Sequence, residues 1–158
     1  MPRLSFLEVR SPIGPLRLVA SPNGLRRIDF SPLSAPDPEW VAESTPVLDE
    51  VTRQLNEYFA GTRRSFDLPL EPSGTDFQQS VWKVLRGIPF GQTISYGEQA
   101  RRLGDAKKAR AVGSANGRNP LPIVVPCHRV IGTNGSLTGF AGGMDAKKWL
   151  LTHEGVAL

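Results

Sequence analysis

The run Glu71-Pro-Ser-Gly74 constrains this chain more than any other feature. Proline lacks the backbone donor that a helix or a strand ladder needs, and glycine adds conformational freedom, so no regular element is expected to pass through it. It divides the 158 residues into segments 1–74 and 75–158, each at the small end of independently folding domains. Two small domains are therefore expected. Charge follows the same division: segment 1–74 holds eight arginines against ten acidic residues, a net of −2, while 75–158 holds eleven lysines and arginines against five acidic residues, a net of +6. The overall charge of +4 thus conceals a basic half, and a basic half suits a polyanionic partner.

Apolar residues make up 39% of the chain, enough for real cores. Cys127 is the only cysteine, which excludes an intramolecular disulfide, and with only His128 and His153 beside it no zinc-binding pattern can be written. The N-terminal stretch Met1 to Arg10 is interrupted by Arg3, Glu8 and Arg10, so it reads as neither a signal peptide nor a membrane helix. The expectation is a soluble cytoplasmic protein with no metal and no membrane partner.

In the first segment, Leu16 to Ala20 and Leu25 to Phe30 read as two short strands joined by the turn Ser21-Pro-Asn-Gly24. The apolar positions Val47, Val51, Leu55, Tyr58 and Phe59 fall at helical spacing between Pro46 and Ala60, and Gly61 stops the helix. Ser65 to Leu70 reads as one more strand. In the second segment Thr75 or Asp76 caps a helix that presents Phe77, Val81, Val84, Leu85 and Ile88 on one face and ends at Gly87 and Pro89. A helix capped by Thr93 or Ser95 then runs to Gly104, and Asp105 opens a second one over Ala106 to Asn116, rich in small and basic residues. Together they form a helix-turn-helix pattern. Arg101, Arg102, Lys107, Lys108 and Arg110 make a basic cluster there, which fits either a solvated helix face or a phosphate-contacting patch. Ala109, Ala111, Gly113, Ser114 and Ala115 leave the backbone thinly covered, which fits either close approach to a flat ligand or tight packing on a neighbour.

Chemistry concentrates in Asn119-Pro-Leu-Pro-Ile-Val-Val-Pro-Cys-His-Arg-Val-Ile131. Ile123 to Val125 reads as a short buried strand that Pro126 ends, which places Cys127 at its lip. A thiol becomes a strong nucleophile as thiolate, which needs a base or cation nearby; His128, Arg129 and His153 are the candidates. On an extended strand Cys127 and His128 point to opposite faces, so a direct bond requires the chain to turn, and a bridging water is the simpler link. Glu154, at the end of a helix starting near Asp145, is the candidate carboxylate for His128.

Pro126-Cys-His-Arg-Val130, with Arg110-Ala-Val-Gly-Ser-Ala-Asn-Gly-Arg-Asn119-Pro before it and Gly139-Phe-Ala-Gly-Gly and Trp149-Leu-Leu-Thr-His-Glu154-Gly after it, resembles the O6-alkylguanine-DNA alkyltransferases. The likeness runs through residues 75–158 in order and spacing; residues 1–74 match loosely, mainly through Ser11-Pro-Ile-Gly-Pro-Leu. The fold this implies is mixed α/β (α+β): a small N-terminal antiparallel sheet with a helix, ribonuclease H-like, and a mainly helical C-terminal domain with a winged-helix-like helix-turn-helix. The implied partner is double-stranded DNA carrying alkylated guanine, met by a monomer with room for cooperative binding along the duplex. The implied reaction is irreversible transfer of the alkyl group to Cys127, once per molecule and without a cofactor.

Carried over residue by residue, the resemblance makes Cys127 the acceptor, His128 the base acting through water, Glu154 its carboxylate and Asn119 an organiser of the site. Tyr96 helps rotate the lesion's 3′ phosphate and donates to the base, and Arg110 fills the vacated stack. Ser95, Ala109, Ala111, Gly113 and Arg118 are the further DNA contacts, and Val130, Ser136, Phe140 and Ala141 shape the base pocket. Phe140 stands where many relatives have tyrosine, and Ala141 lacks a hydroxyl that some place there, which leaves the preferred alkyl size open. Two rivals remain: a protein that binds alkylated bases without repairing them, which Cys127 argues against, and a cysteine hydrolase, which the helix-turn-helix argues against.

Overall fold

The computed structural model describes residues 3–132, 134–135, 137, 139–140 and 142–158. They form two compact units, Met1–Ser73 and Gly74–Leu158, and the fold is the expected mixed α/β arrangement of a small N-terminal sheet and a helical C-terminal part.

The first unit is a four-stranded sheet with one helix. Its strands are β1 (Ser5–Val9), β2 (Leu16–Ala20), β3 (Leu25–Phe30) and β4 (Val41–Ala42), in the order β3-β2-β1-β4. The β2–β3 hairpin is the one expected, and Ser21 Oγ accepts from the amides of Asn23 and Gly24 to form its turn. The sheet also contains two strands that the sequence reading left unassigned: β1, antiparallel to β2, and the short β4, parallel to β1. Helix α1 (Pro46–Phe59) packs on β1, β2 and β3 through Leu48, Val51, Leu55 and Tyr58, and the chain leaves it through Gly61 at φ +84°.

Ser65 to Leu70 corrects an expectation. It is no strand, and among the described residues its backbone bridge to the sheet is the one between Leu25 and Leu70. At its middle a buried side chain takes the backbone bonds of Asp67: Gln54 Nε2 donates to the Asp67 carbonyl at 3.0 Å, and the Asp67 amide donates to Gln54 Oε1 at 2.9 Å.

The second unit begins where only glycine fits, since a Cβ on Gly74 would lie 2.5 Å from the Trp82 ring. Helix α2 (Asp76–Arg86) starts in a capping box in which Thr75 and Gln78 each satisfy the other's amide. It is tied to a later helix, α4 (Ala109–Gly117), by a 2.8 Å bond from Trp82 Nε1 to the Ala115 carbonyl. Between them lie β5 (Ile94–Ser95) and α3 (Tyr96–Arg102), the latter capped by Ser95 Oγ on the Glu98 amide. The expected helix-turn-helix is α3 and α4, with one difference. Asp105 accepts from the Lys107 amide and tightens Ala106–Lys108 into a 3₁₀ turn, so the α-helix proper starts at Ala109. Gln99 and Asn116, both buried, exchange amide hydrogen bonds of 2.9 and 2.8 Å and lock α3 to α4. The chain finishes with β6 (Val130–Ile131) and α5 (Met144–His153). Among the described residues no helix is long and apolar enough to cross a membrane.

Candidate active site

The segment before Cys127 departs from the sequence reading. Ile123 to Val125 is a turn, not a strand, and Ile123 sits at φ +75°. Pro120, Pro122 and Pro126 strip the segment of amide donors, and Asn119 gathers what remains: its Nδ2 donates to the Val125 carbonyl at 2.8 Å, and its Oδ1 accepts from the Leu121 amide at 2.9 Å. The Val125 amide closes onto the Leu121 carbonyl at 2.8 Å. Isoleucine in the left-handed region is strained. Here the bracketing bonds hold it there.

Cys127 therefore opens a 3₁₀ turn, Cys127–Arg129, rather than capping a strand. The Val130 amide closes that turn on the Cys127 carbonyl, and β6 then pairs parallel to β5, Val130 opposite Ile94 and Ile131 opposite Ser95. The pairing puts Tyr96, the next residue after β5, beside Cys127. A cavity of about 290 Å³ opens there, lined by Tyr96, Gly113, Asn116, Gly117, Cys127, Gly139 and Phe140.

Behind the cysteine lies a buried charge network. His128 is fully buried, and its Nε2 lies 2.8 Å from Glu154 Oε2. Arg129 grips the same carboxylate with Nε at 2.8 Å on Oε1 and Nη2 at 3.0 Å on Oε2, while its Nη1 donates to the Ile88 carbonyl. A carboxylate facing Nε2 accepts from it, so the imidazole proton belongs on Nε2. Nδ1 is then a bare lone pair, and it is buried with no hydrogen-bond partner among the described residues. Burial pushes the His128 pKa down, with Arg129 and Lys147 adding to the drop and Glu154 opposing it. The lowered value keeps the His128 imidazole uncharged at neutral pH.

Burial pushes the Cys127 thiol up, while a hydrogen bond with Asn119 and the charge of Lys147 pull it down. Lys147 on α5 is 1% exposed and donates from Nζ to the Val130 carbonyl at 2.8 Å. Among the described residues no cluster of three His, Cys, Asp or Glu could hold a metal ion.

Matches to known proteins fit this geometry. Residues 76–156 match a family model described as the DNA binding domain of 6-O-methylguanine DNA methyltransferase, and residues 8–72 match its ribonuclease-like domain. The methylated-DNA-protein-cysteine methyltransferase of Methanosarcina acetivorans is 51% identical over 149 residues, which is 92% of this chain and 94% of that protein. The chain belongs to the 6-O-methylguanine DNA methyltransferase family. A second methyltransferase of that name, from Haemophilus influenzae, is 41% identical across 98% of this chain and 88% of its own length. The crystal structure of Mycobacterium tuberculosis OGT in complex with DNA superposes with a TM-score of 0.89 at 45% identity, covering 95% of this chain and 92% of that one.

Within this family member, the structure brings together Cys127, Tyr96, Gly113 and Phe140 around the cavity, Asn119 in hydrogen-bond contact with Cys127, and His128 with Glu154 behind it. Arg110, Ala111 and Arg118 are exposed on α4 and its end, and Ala109 is half-buried there. Ser95 uses its hydroxyl as a helix cap, and Val130 is fully buried with its carbonyl engaged by Lys147. Ser136 and Ala141 lie outside the described residues. His153 does not join the cysteine: it stacks on Trp149 with ring centroids 4.7 Å apart. Arg129 serves Glu154. Of the basic cluster, Arg101 and Arg102 both pair with Glu98, and Lys108 lies over the Phe77 ring. The sequence reading missed Lys147 and the Gln99–Asn116 pair. Lys147, Leu150, Leu151 and Glu154 fall at i, i+3, i+4 and i+7, a spacing that marks Lys147 as a charge on a buried helix face.

Proposed function

We propose that this protein repairs duplex DNA by moving the alkyl group of O6-alkylguanine, and less readily of O4-alkylthymine, onto its own Cys127. The observation that carries this reading is Cys127 on the wall of the cavity beside a neutral His128 whose Nε2 is held by Glu154 and whose buried Nδ1 has no hydrogen-bond partner among the described residues.

His128 Nδ1 takes the thiol proton through a bridging water, and the sulfur attacks the alkyl carbon. An S–C bond forms as the C–O6 bond breaks, and the electrons pass to the guanine, which leaves with a hydrogen bond from Tyr96. The proton returns to the guanine, so the overall exchange balances as thiol plus O6-alkylguanine giving thioether plus guanine. A thioether is stable, so each molecule acts once. The cavity is at the small end of the roughly 300–1,000 Å³ usual for small-molecule sites, which suits a single extruded base. Asn119 holds the strained turn that presents the thiol, and Val130 and Phe140 bound the base.

The target carbon is hidden in the duplex stack, so the nucleotide must rotate out and something must fill the gap. Arg110, exposed in the first turn of α4, fills it; Ser95, Ala109, Ala111, Gly113 and Arg118 line the approach to the DNA backbone. Arg110→Ala should slow repair of duplex DNA on the order of tenfold or more, because unstacking a base costs a few kcal/mol, while transfer from the free alkylated base stays unchanged. Equal duplex rates for the variant and wild type would remove Arg110 from this role.

The deciding experiment is incubation with excess duplex containing one O6-methylguanine, followed by mass spectrometry of the peptide that holds Cys127. One methyl group per protein molecule is expected. An unmodified peptide with retained DNA affinity would make the chain a binding protein, and many guanines released per protein would make it a turnover enzyme; either outcome overturns the reading.

A further inference from the structure

Lys147 is buried on the face of α5 that also carries Leu150, Leu151 and Glu154. Burying an ammonium group costs several kcal/mol of lost hydration, whereas leucine or methionine would fill the same place at no such cost. Its surroundings show where the charge acts. Nζ donates to the carbonyl of Val130, the residue whose amide closes the turn that begins at Cys127, and Val130 also pairs with Ile94 in the ladder that leads to Tyr96. One bond from Lys147 therefore holds the turn bearing the thiol and the ladder that places Tyr96.

We infer that Lys147 is a positioning residue for alkyl transfer: its buried ammonium fixes the Cys127 turn through the Val130 carbonyl and provides the positive field in which the Cys127 thiol gives up its proton. This rests on the reaction proposed above and adds to it the source of the thiolate's stabilisation. Arg129, the other buried cation among the described residues of the second unit, already places two donors on Glu154. The remaining groups facing Cys127 are Tyr96 from the start of α3, the uncharged Asn116 of α4 and Asn119 after it, and His128 of its own turn. The coupling runs both ways: the Lys147 charge pulls the thiol pKa down, and the cysteine pulls the Lys147 pKa up against the larger effect of burial. The same charge helps keep His128 neutral and so able to accept the proton. Lys147 keeps its own protons throughout; the thiol proton goes to His128 and then to the departing guanine.

The test compares full-length wild type, Lys147→Met and Lys147→Arg. Alkylation of Cys127 by iodoacetamide is followed from neutral to alkaline pH, alongside methyl transfer from the O6-methylguanine duplex. Lys147→Met should move the midpoint of iodoacetamide reactivity up by about one pH unit, which is about tenfold less thiolate below it. Methyl transfer at neutral pH should fall by the same factor and recover in alkaline buffer. Lys147→Arg, which keeps the charge, should restore most of the shift. A folded Lys147→Met protein, judged by circular dichroism, with the wild-type midpoint would overturn the inference.

The reciprocal measurement leaves the lysine in place. Coupling free energies are symmetric, so Cys127→Ser should lower the titration point of Lys147 Nζ, read by nitrogen-15 NMR; an unchanged titration also overturns the inference. If wild type never accepts a methyl group from DNA, the proposed reaction fails instead, and the iodoacetamide midpoints still judge Lys147.

Discussion

Cys127→Ser will abolish alkyl transfer while leaving affinity for duplex DNA within about twofold of wild type. A serine hydroxyl fits the space of the thiol, but its oxygen is a weak nucleophile unless an adjacent base strips its proton in the transition state. Burial lowers the basicity of His128, which makes it a still poorer base for a hydroxyl than for the far more acidic thiol. The proposed DNA contacts are different residues. Arg118, exposed at the end of α4, belongs to the proposed DNA-facing set, and contacts of basic side chains with phosphates carry most of the sequence-independent affinity. The measurement pairs fluorescence anisotropy on a duplex with a gel assay of label transferred to protein. Residual transfer in the variant would place the acceptor elsewhere, and a large loss of affinity would mean that the cysteine's neighbourhood, rather than the basic surface, holds the DNA.

Helices were legible in the sequence because their ends carry their own chemistry. Thr45 and Thr75 accept from the third amide of α1 and α2, and glycines follow both helices. Ile123-Val-Val was not legible as a turn, since three β-branched residues favour extended backbone. What overrides that preference is Asn119, whose side chain binds both Leu121 and Val125 and closes the loop from outside it. Ser65 to Leu70 fails for a similar reason: the backbone bonds of Asp67 go to Gln54, 13 positions earlier in the chain, and no local pattern signals that.

The site was legible to the extent that its residues are adjacent in sequence. Cys127, His128 and Arg129 follow one another, and Glu154 stands at a helix end where a carboxylate is unusual, so the His128–Glu154 pair could be anticipated. Arg129's place could not. The expectation put it near the thiol because of its position in the chain, whereas a 3₁₀ turn rotates successive side chains by about 120° and sends Arg129 to Glu154 and the Ile88 carbonyl. The turn also answers the question left open by strand geometry, since it removes the need for Cys127 and His128 to face opposite ways.

Glu154 should be the most sensitive position in the second unit, and two substitutions separate its two roles. The residue is 4% exposed and joins His128, Arg129 and the amide of Gly91. Removing one partner of a buried ion pair leaves the other charge uncompensated, a loss of about 3–5 kcal/mol against a total stability of about 5–15 kcal/mol for a domain. Glu154→Ala should therefore unfold at much lower urea than wild type or fail to fold. Glu154→Gln keeps the shape and softens that loss, and it isolates the proton. A glutamine amide can donate to Nε2 as well as accept from it, which lets the His128 proton move to Nδ1 and removes the lone pair that must receive the thiol proton. A wrong tautomer in a comparable buried carboxylate–histidine pair costs on the order of 10⁴-fold in rate. A folded Glu154→Gln protein should thus transfer alkyl groups orders of magnitude more slowly at neutral pH, with the loss shrinking in alkaline buffer as the thiol ionises without help. Near-wild-type transfer at neutral pH would mean that His128 is not the base, and would leave Glu154 as the anchor of Arg129 alone.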